Sequence, residues 1–102
     1  MNSQNKSLNL KNKCKKIKLV LSDVDGVLTD GGMYYSDQGE VMKKFNTRDG
    51  MAVALLEKNI PTILISKENS KIVKARAKKI HAAEALIGID NKEILLPKLC
   101  KK

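Results

Sequence analysis

The sequence predicts an α/β fold built on a parallel sheet, and three observations predict it. Short, β-prone apolar runs at residues 17–22, 62–65 and 85–87 alternate with helical stretches, an order that calls for right-handed crossovers and parallel strands. The first run ends in Asp23-Val24-Asp25-Gly26, and in open α/β sheets ligands bind outside the carboxyl ends of the strands. The chain has 102 residues, room for one small domain, and shows neither an internal repeat nor a linker to a second.

In chain order, residues 1–16 are polar and lysine-rich and are expected to form a basic flexible tail, disordered or loosely attached, ahead of a domain over 17–102. Residues 17–22 hold Ile, Leu and Val around one lysine, the composition of a strand buried on both faces. Residues 33–36 and 40–45 are β-prone and flank Asp37-Gln38-Gly39, which predicts a hairpin. It stands beside the aspartate loop and could serve as a flap or be a plain surface hairpin. Asp49 is the expected N-cap of a helix from about 50 to 58, with Met51, Ala54 and Leu55 inward and Asn59 at its end. Pro61 leads into the strand at 62–65. The next helix should turn Ile72, Val73, Ala75, Ala77 and Ile80 inward and its lysines to solvent. His81, the single histidine, falls at that helix's end, a place for a surface role. A short strand at 85–87 precedes a last helix from 91, which Pro97 should shorten or kink.

The net charge of +9 belongs to the ends: residues 1–18 hold six lysines and no acid, whereas 19–97 carry 11 basic and 11 acidic side chains. Solvated tails are the plain reading, although lysine runs also bind phosphates without sequence preference. Aromatics at 3% leave no base-stacking platform, which argues against a nucleic-acid partner. Cys14 and Cys100 lack metal or redox spacing and read as reduced thiols. The polar N-terminus has no signal-peptide core, and no apolar run approaches the ~18 residues of a membrane span. A cytoplasmic protein with no membrane partner is expected.

Two carboxylates one residue apart, at a strand end where Gly26 permits a sharp turn, can hold a divalent cation or supply a nucleophile and an acid/base. An EF-hand loop is excluded because Val27 occupies the third ligand position. A P-loop is excluded because no Gly-Lys-[Ser/Thr] occurs.

The stretch Asp23-Val24-Asp25-Gly26-Val27-Leu28-Thr29 resembles the first motif of the haloacid dehalogenase (HAD) superfamily, Asp-x-Asp-Gly-x-x-[Thr/Val]. Thr29-Asp30-Gly31-Gly32-Met33-Tyr34-Tyr35 and Lys44-Phe45-Asn46-Thr47-Arg48-Asp49-Gly50 are similar to its small, cap-less sugar-acid phosphatases. Those act on 3-deoxy-octulosonate 8-phosphate or 3-deoxy-nononate 9-phosphate, and a related module is attached to acylneuraminate cytidylyltransferases. The likeness runs from residue 17 to about 96. It implies a HAD-like Rossmannoid three-layer sandwich with a parallel sheet and a β-hairpin flap. It also implies a Mg²⁺-dependent phosphatase working through an aspartyl-phosphate.

On that resemblance Asp23 would be the nucleophile, and Asp25 would protonate the leaving alkoxide and later activate water. Mg²⁺ would sit on the Asp23 carboxylate and the Asp25 backbone carbonyl. Ser66 would offer a hydroxyl to the phosphoryl oxygens, and Lys92 a fixed cation. Asn46, Thr47, Arg48, Asp49 and Gly50 match the family's substrate-contacting segment, and Arg76 matches an arginine that reaches the active site. Glu68 stands where the octulosonate enzymes carry arginine and the nononate type carries glutamate, which tilts the substrate toward a nine-carbon, sialic-acid-like sugar phosphate. A homo-oligomer is implied as well, tetramers being usual.

The family's fourth motif is an acidic loop after a fourth strand, whereas here no Asp or Glu follows Glu93. The expectation is therefore a C-terminally truncated domain lacking the last strands. Its metal would be short of one carboxylate, its first strand would lie at a sheet edge, and its turnover would be impaired. The alternative is a non-catalytic module that assembles through its hairpin or supports a sialic-acid-type sugar-nucleotide pathway.

Overall fold

The structure, a computed structural model, describes residues 3–100, with side chains from 8 to 99. The expectations for the first two residues of the tail, for Lys101 and Lys102 and for the Cys100 thiol lie outside the described residues. The elements run α1 (Ser3–Lys15), β1 (Val20–Asp23), β2 (Tyr34–Ser36), β3 (Gly39–Met42), α2 (Thr47–Leu56), β4 (Thr62–Ile65), α3 (Lys71–Lys79), β5 (Glu84–Leu86) and α4 (Lys92–Cys100).

Thr62-Ile63-Leu64-Ile65 has no polar face, and the fold uses it as the central strand, buried along its whole length. Strands β1 and β5 flank it in the order β1-β4-β5, both parallel to it. The period-2 alternation of side chains splits this strand between two cores. Leu64 faces α2 and α3, where it joins Val24, Val53, Val73, Ala77 and Ile80. Ile63 and Ile65 face the other way and pack with Leu99 of α4, backed by Leu19, Leu21 and Leu86. The result is the expected three-layer sandwich, with helices on both faces of a parallel sheet. β2 and β3 form a separate antiparallel hairpin. Among the described residues β1 pairs on one side only, as expected of an edge strand.

Several local expectations are corrected. Residues 3–15 form a helix whose residues from 8 onward are exposed, with Leu8 and Leu10 facing solvent. The N-cap of α2 is Asn46, not Asp49: the Asn46 side chain accepts a hydrogen bond from the Arg48 N–H at 2.8 Å. The face of α2 turned toward α3 and the sheet carries Gly50 and Val53, which are buried, while Met51 and Leu55 are exposed. Ala75 of α3 is also exposed. Helix α4 runs nine residues to Cys100 with Pro97 inside it, a short helix as expected.

Candidate active site

The carboxyl end of β1 delivers Asp23, and the chain turns immediately beyond it. The N–H groups of Val27, Leu28 and Thr29 all donate to the Val24 carbonyl. Gly26 and Gly31 take φ of 81° and 83°, the left-handed region that side chains disfavour. Thr29, buried, accepts hydrogen bonds at its Oγ1 from the N–H groups of Gly26 and Gly31, at 3.2 and 3.1 Å. One hydroxyl thus gathers both ends of the loop.

The turn brings Asp23 and Asp25 to one hollow of about 530 Å³, as expected. Asp23 Oδ1 accepts from the Val24 N–H at 2.9 Å and lies 3.0 Å from Lys92 Nζ. Asp23 Oδ2 carries no hydrogen bond among the described residues. Lys92 comes from the first turn of α4, across the sheet end, and there its side chain meets that of Asp23. Glu68 also lines the hollow. Ser66 follows directly after β4, whose Ile65 pairs with Asp23, but it is buried behind the hollow's surface. Its hydroxyl accepts from the Glu68 N–H at 3.2 Å.

The remaining expected substrate residues are set apart. Asn46 and Asp49 line a second hollow of about 300 Å³, together with Thr29, Asp30 and Phe45. Thr47 and Arg48 are exposed at the start of α2. Gly50 is buried because α3 passes close by: a Cβ there would meet Arg76 Nη2 at 2.7 Å and Ile80 Cγ2 at 2.8 Å. The Arg76 guanidinium donates to the Asn46 carbonyl at 3.1 Å and lies 5.2 Å from the Phe45 ring centre. Within this chain it braces the N-terminus of α2 and does not line the first hollow.

Sequence reasoning missed Lys43. It reads as a solvated strand lysine, yet its side chain is fully buried, with Nζ at 2.6 Å from Asp25 Oδ1 and 2.9 Å from Glu40 Oε2. Burial would lower its pKa, but the hydrogen bonds and charges of Asp25 and Glu40 prevail and raise it. The available signal was the pair Glu40 and Lys43, three apart in a run otherwise read as hairpin.

The lining of the first hollow holds five carboxylate residues, Asp23, Asp25, Glu68, Asp90 and Glu93, against the two lysines Lys67 and Lys92. Such a surface repels an anionic ester unless a cation intervenes, and its oxygen donors suit a hard divalent ion. Among the described residues no three His, Cys, Asp or Glu side chains are grouped closely enough to hold a metal by themselves.

No family model matches the chain. It is 35% identical over 97 residues to the 3-deoxy-D-manno-octulosonate 8-phosphate phosphatase of Salmonella typhi, covering 94% of this chain and 52% of that protein. It is 40% identical over 68 residues to the same enzyme of Haemophilus influenzae, covering 66% of this chain and 38% of that protein. Among solved structures, the 3-deoxy-D-manno-octulosonate 8-phosphate phosphatase of Moraxella catarrhalis, in complex with magnesium ion, phosphate ion and a KDO molecule, superposes with a TM-score of 0.79. The identity is 36%, over 88% of this chain and 52% of that one. The cobalt-bound Haemophilus influenzae enzyme gives a TM-score of 0.80 at 36% identity, over 87% and 53%. The chain thus spans about half the length of the relatives it matches. It is a homologue of these phosphatases and has the HAD fold over that half. Among the described residues no helix is long and apolar enough to cross a membrane.

Proposed function

We propose that this chain, as a homologue of the octulosonate 8-phosphate phosphatases, carries the nucleophile, the acid/base and the fixed cation of a Mg²⁺-dependent phosphatase for a phosphorylated 3-deoxy sugar acid. The observation that carries this reading is the state of Asp23. One carboxylate oxygen is held by the Val24 N–H and by Lys92, the other carries no hydrogen bond, and Asp25 lines the same hollow.

In the first half-reaction Asp23 Oδ2 attacks phosphorus, and the ester oxygen leaves with a proton from Asp25. In the second, Asp25 takes a proton from water as that water attacks phosphorus. Inorganic phosphate is released and Asp23 is regenerated. Lys92, 3.0 Å from Asp23 Oδ1, offsets charge on the phosphoryl oxygens. The Asp23 carboxylate and the Asp25 backbone carbonyl would hold Mg²⁺, which supplies charge neutralisation between the anionic nucleophile and the anionic ester. Ser66, buried beside the hollow, could offer its proton to a phosphoryl oxygen while accepting from Glu68. With only these two groups offered by this chain the ion would be weakly held, so we expect the 102-residue chain alone to turn over slowly.

The relatives' names favour the octulosonate 8-phosphate, whereas Glu68 in the lining supports the nononate 9-phosphate. Phosphate release from both esters, with Mg²⁺ and with EDTA, tests the reading. Turnover that needs Mg²⁺ and vanishes in Asp23→Asn is expected. Turnover that survives the substitution would remove Asp23 from its role.

A second reading rests on the hairpin, where Tyr34, Tyr35, Val41 and Met42 are all exposed. That apolar surface supports self-association, as the resemblance implies, and a mass in solution above one chain that falls on Val41→Lys would bear on it.

A further inference from the structure

The hairpin exposes most of its apolar side chains, so burial does little to seat it on the sheet. What joins its outgoing strand to the body is a chain of polar contacts. Lys43, one residue past β3, sends its ammonium to Asp25 Oδ1 at 2.6 Å and to Glu40 Oε2 at 2.9 Å. Glu40, from β3 itself, accepts at its other oxygen from the Ser70 hydroxyl at 3.4 Å, at the head of α3. Two residues on, Phe45 bridges to Thr29, the hydroxyl residue that closes the aspartate loop. Met33, at the hairpin's root, lines the same hollow as Asp23 and Asp25.

A fully buried ammonium is tolerated only when paired, and stripping it of a partner is costly. Lys43 therefore cannot leave Asp25 without losing half of its compensation. Equally, Asp25 cannot turn without pulling on the hairpin. We propose that Lys43 is a positioning residue that fixes the Asp25 carboxylate and makes the aim of that acid depend on the seating of the hairpin. This rests on the phosphatase reading above. In it, Lys43 holds Oδ1 and leaves Oδ2, unpartnered among the described residues, as the oxygen that exchanges a proton with the ester.

The leaving group separates positioning from mere support. A sugar-acid phosphate expels an alkoxide and needs an acid, whereas 4-nitrophenyl phosphate expels a stable phenolate and does not. Since kcat/KM reports the attack on phosphorus, Lys43→Met in the full chain is expected to lose about 10²-fold or more on the alkyl ester. On the aryl ester it should lose less than about tenfold. Glu40→Gln, which keeps the Lys43–Asp25 contact, should show the same bias at smaller size and covers the case in which Lys43→Met fails to fold. Equal losses on both esters in a folded variant, or no loss on either, would overturn the proposal. If the unsubstituted chain hydrolyses neither ester, the phosphatase reading fails by itself. Amide hydrogen exchange then decides the coupling. Faster exchange at 34–42 and at the 23–31 loop in both variants, with β4 unchanged, supports it, and unchanged exchange at either segment overturns it.

Discussion

Lys43 and Asn46 lie three residues apart and do different work. Lys43 is an ion held in place by two carboxylates, and its pKa is raised. A group with a raised pKa contributes stability fully below its unfolded value and loses it as pH climbs through the folded one. The stability gap between the unsubstituted chain and Lys43→Met, followed by urea unfolding, should stay constant from neutral pH upward. It should narrow only above the ordinary lysine value of 10.5. A gap that closes near neutrality would contradict the pairing. Asn46 is a cap, donating no charge but satisfying the Arg48 N–H. Asn46→Ala should cost about 1 kcal/mol of stability, whereas Asp49→Ala should cost less, having no capping bond to lose. From sequence, Asp49 alone is expected to cap, a residue type that caps as readily as asparagine. The structure decides by tying the Asn46 carbonyl to Arg76 from the neighbouring helix, a contact between residues 30 apart that no local pattern reveals.

At the scale of elements, the central strand bears most of the packing. Leu64 is fully buried between α2 and α3, and Leu64→Ala should destabilise by roughly 2–5 kcal/mol, measured by denaturant unfolding. The same change at exposed Leu55 should stay within about 0.5 kcal/mol. β4 was legible because four apolar or β-branched residues after a proline leave little choice but a strand buried on both faces. The inner face of α2 was not. Met51 through Leu56 is apolar without interruption, so periodicity carries no phase there, and packing against α3 sets which side turns in. The aspartate loop was legible because two carboxylates and a glycine at a strand end confine the chemistry, whereas Lys92 was legible only through the family resemblance. Lys43 was illegible because its burial depends on the hairpin folding back over the loop. The separation of residues 46–50 from the first hollow was hidden for a like reason, being a property of how α2 leans on α3.

Across the whole molecule, one end of a parallel sheet gathers residues 23, 25, 67–68 and 89–93, with Met33 from the hairpin's root, around one hollow. β1, which carries Asp23, pairs on one side only among the described residues. On the α4 face, a second apolar hollow of about 470 Å³, lined by Leu19, Pro61, Ile63, Ala83 and Leu99, opens at the sheet's far end. An edge strand beside an open apolar hollow makes for modest stability and a tendency to pair with other chains. The site and this weak edge therefore share one element, and stability and activity should fall together when β1 is perturbed.

The most direct measurement concerns the bond that Asp23 is proposed to form. The folded chain, mixed with Mg²⁺ and excess octulosonate or nononate phosphate, is quenched and reduced with borohydride, which converts an acyl phosphate of aspartate to homoserine. Peptide mass mapping should find homoserine at position 23 alone, and none when phosphorylated substrate is withheld. An unmodified Asp23, or homoserine at Asp25 or elsewhere, would contradict the assignment of Asp23 as the nucleophile.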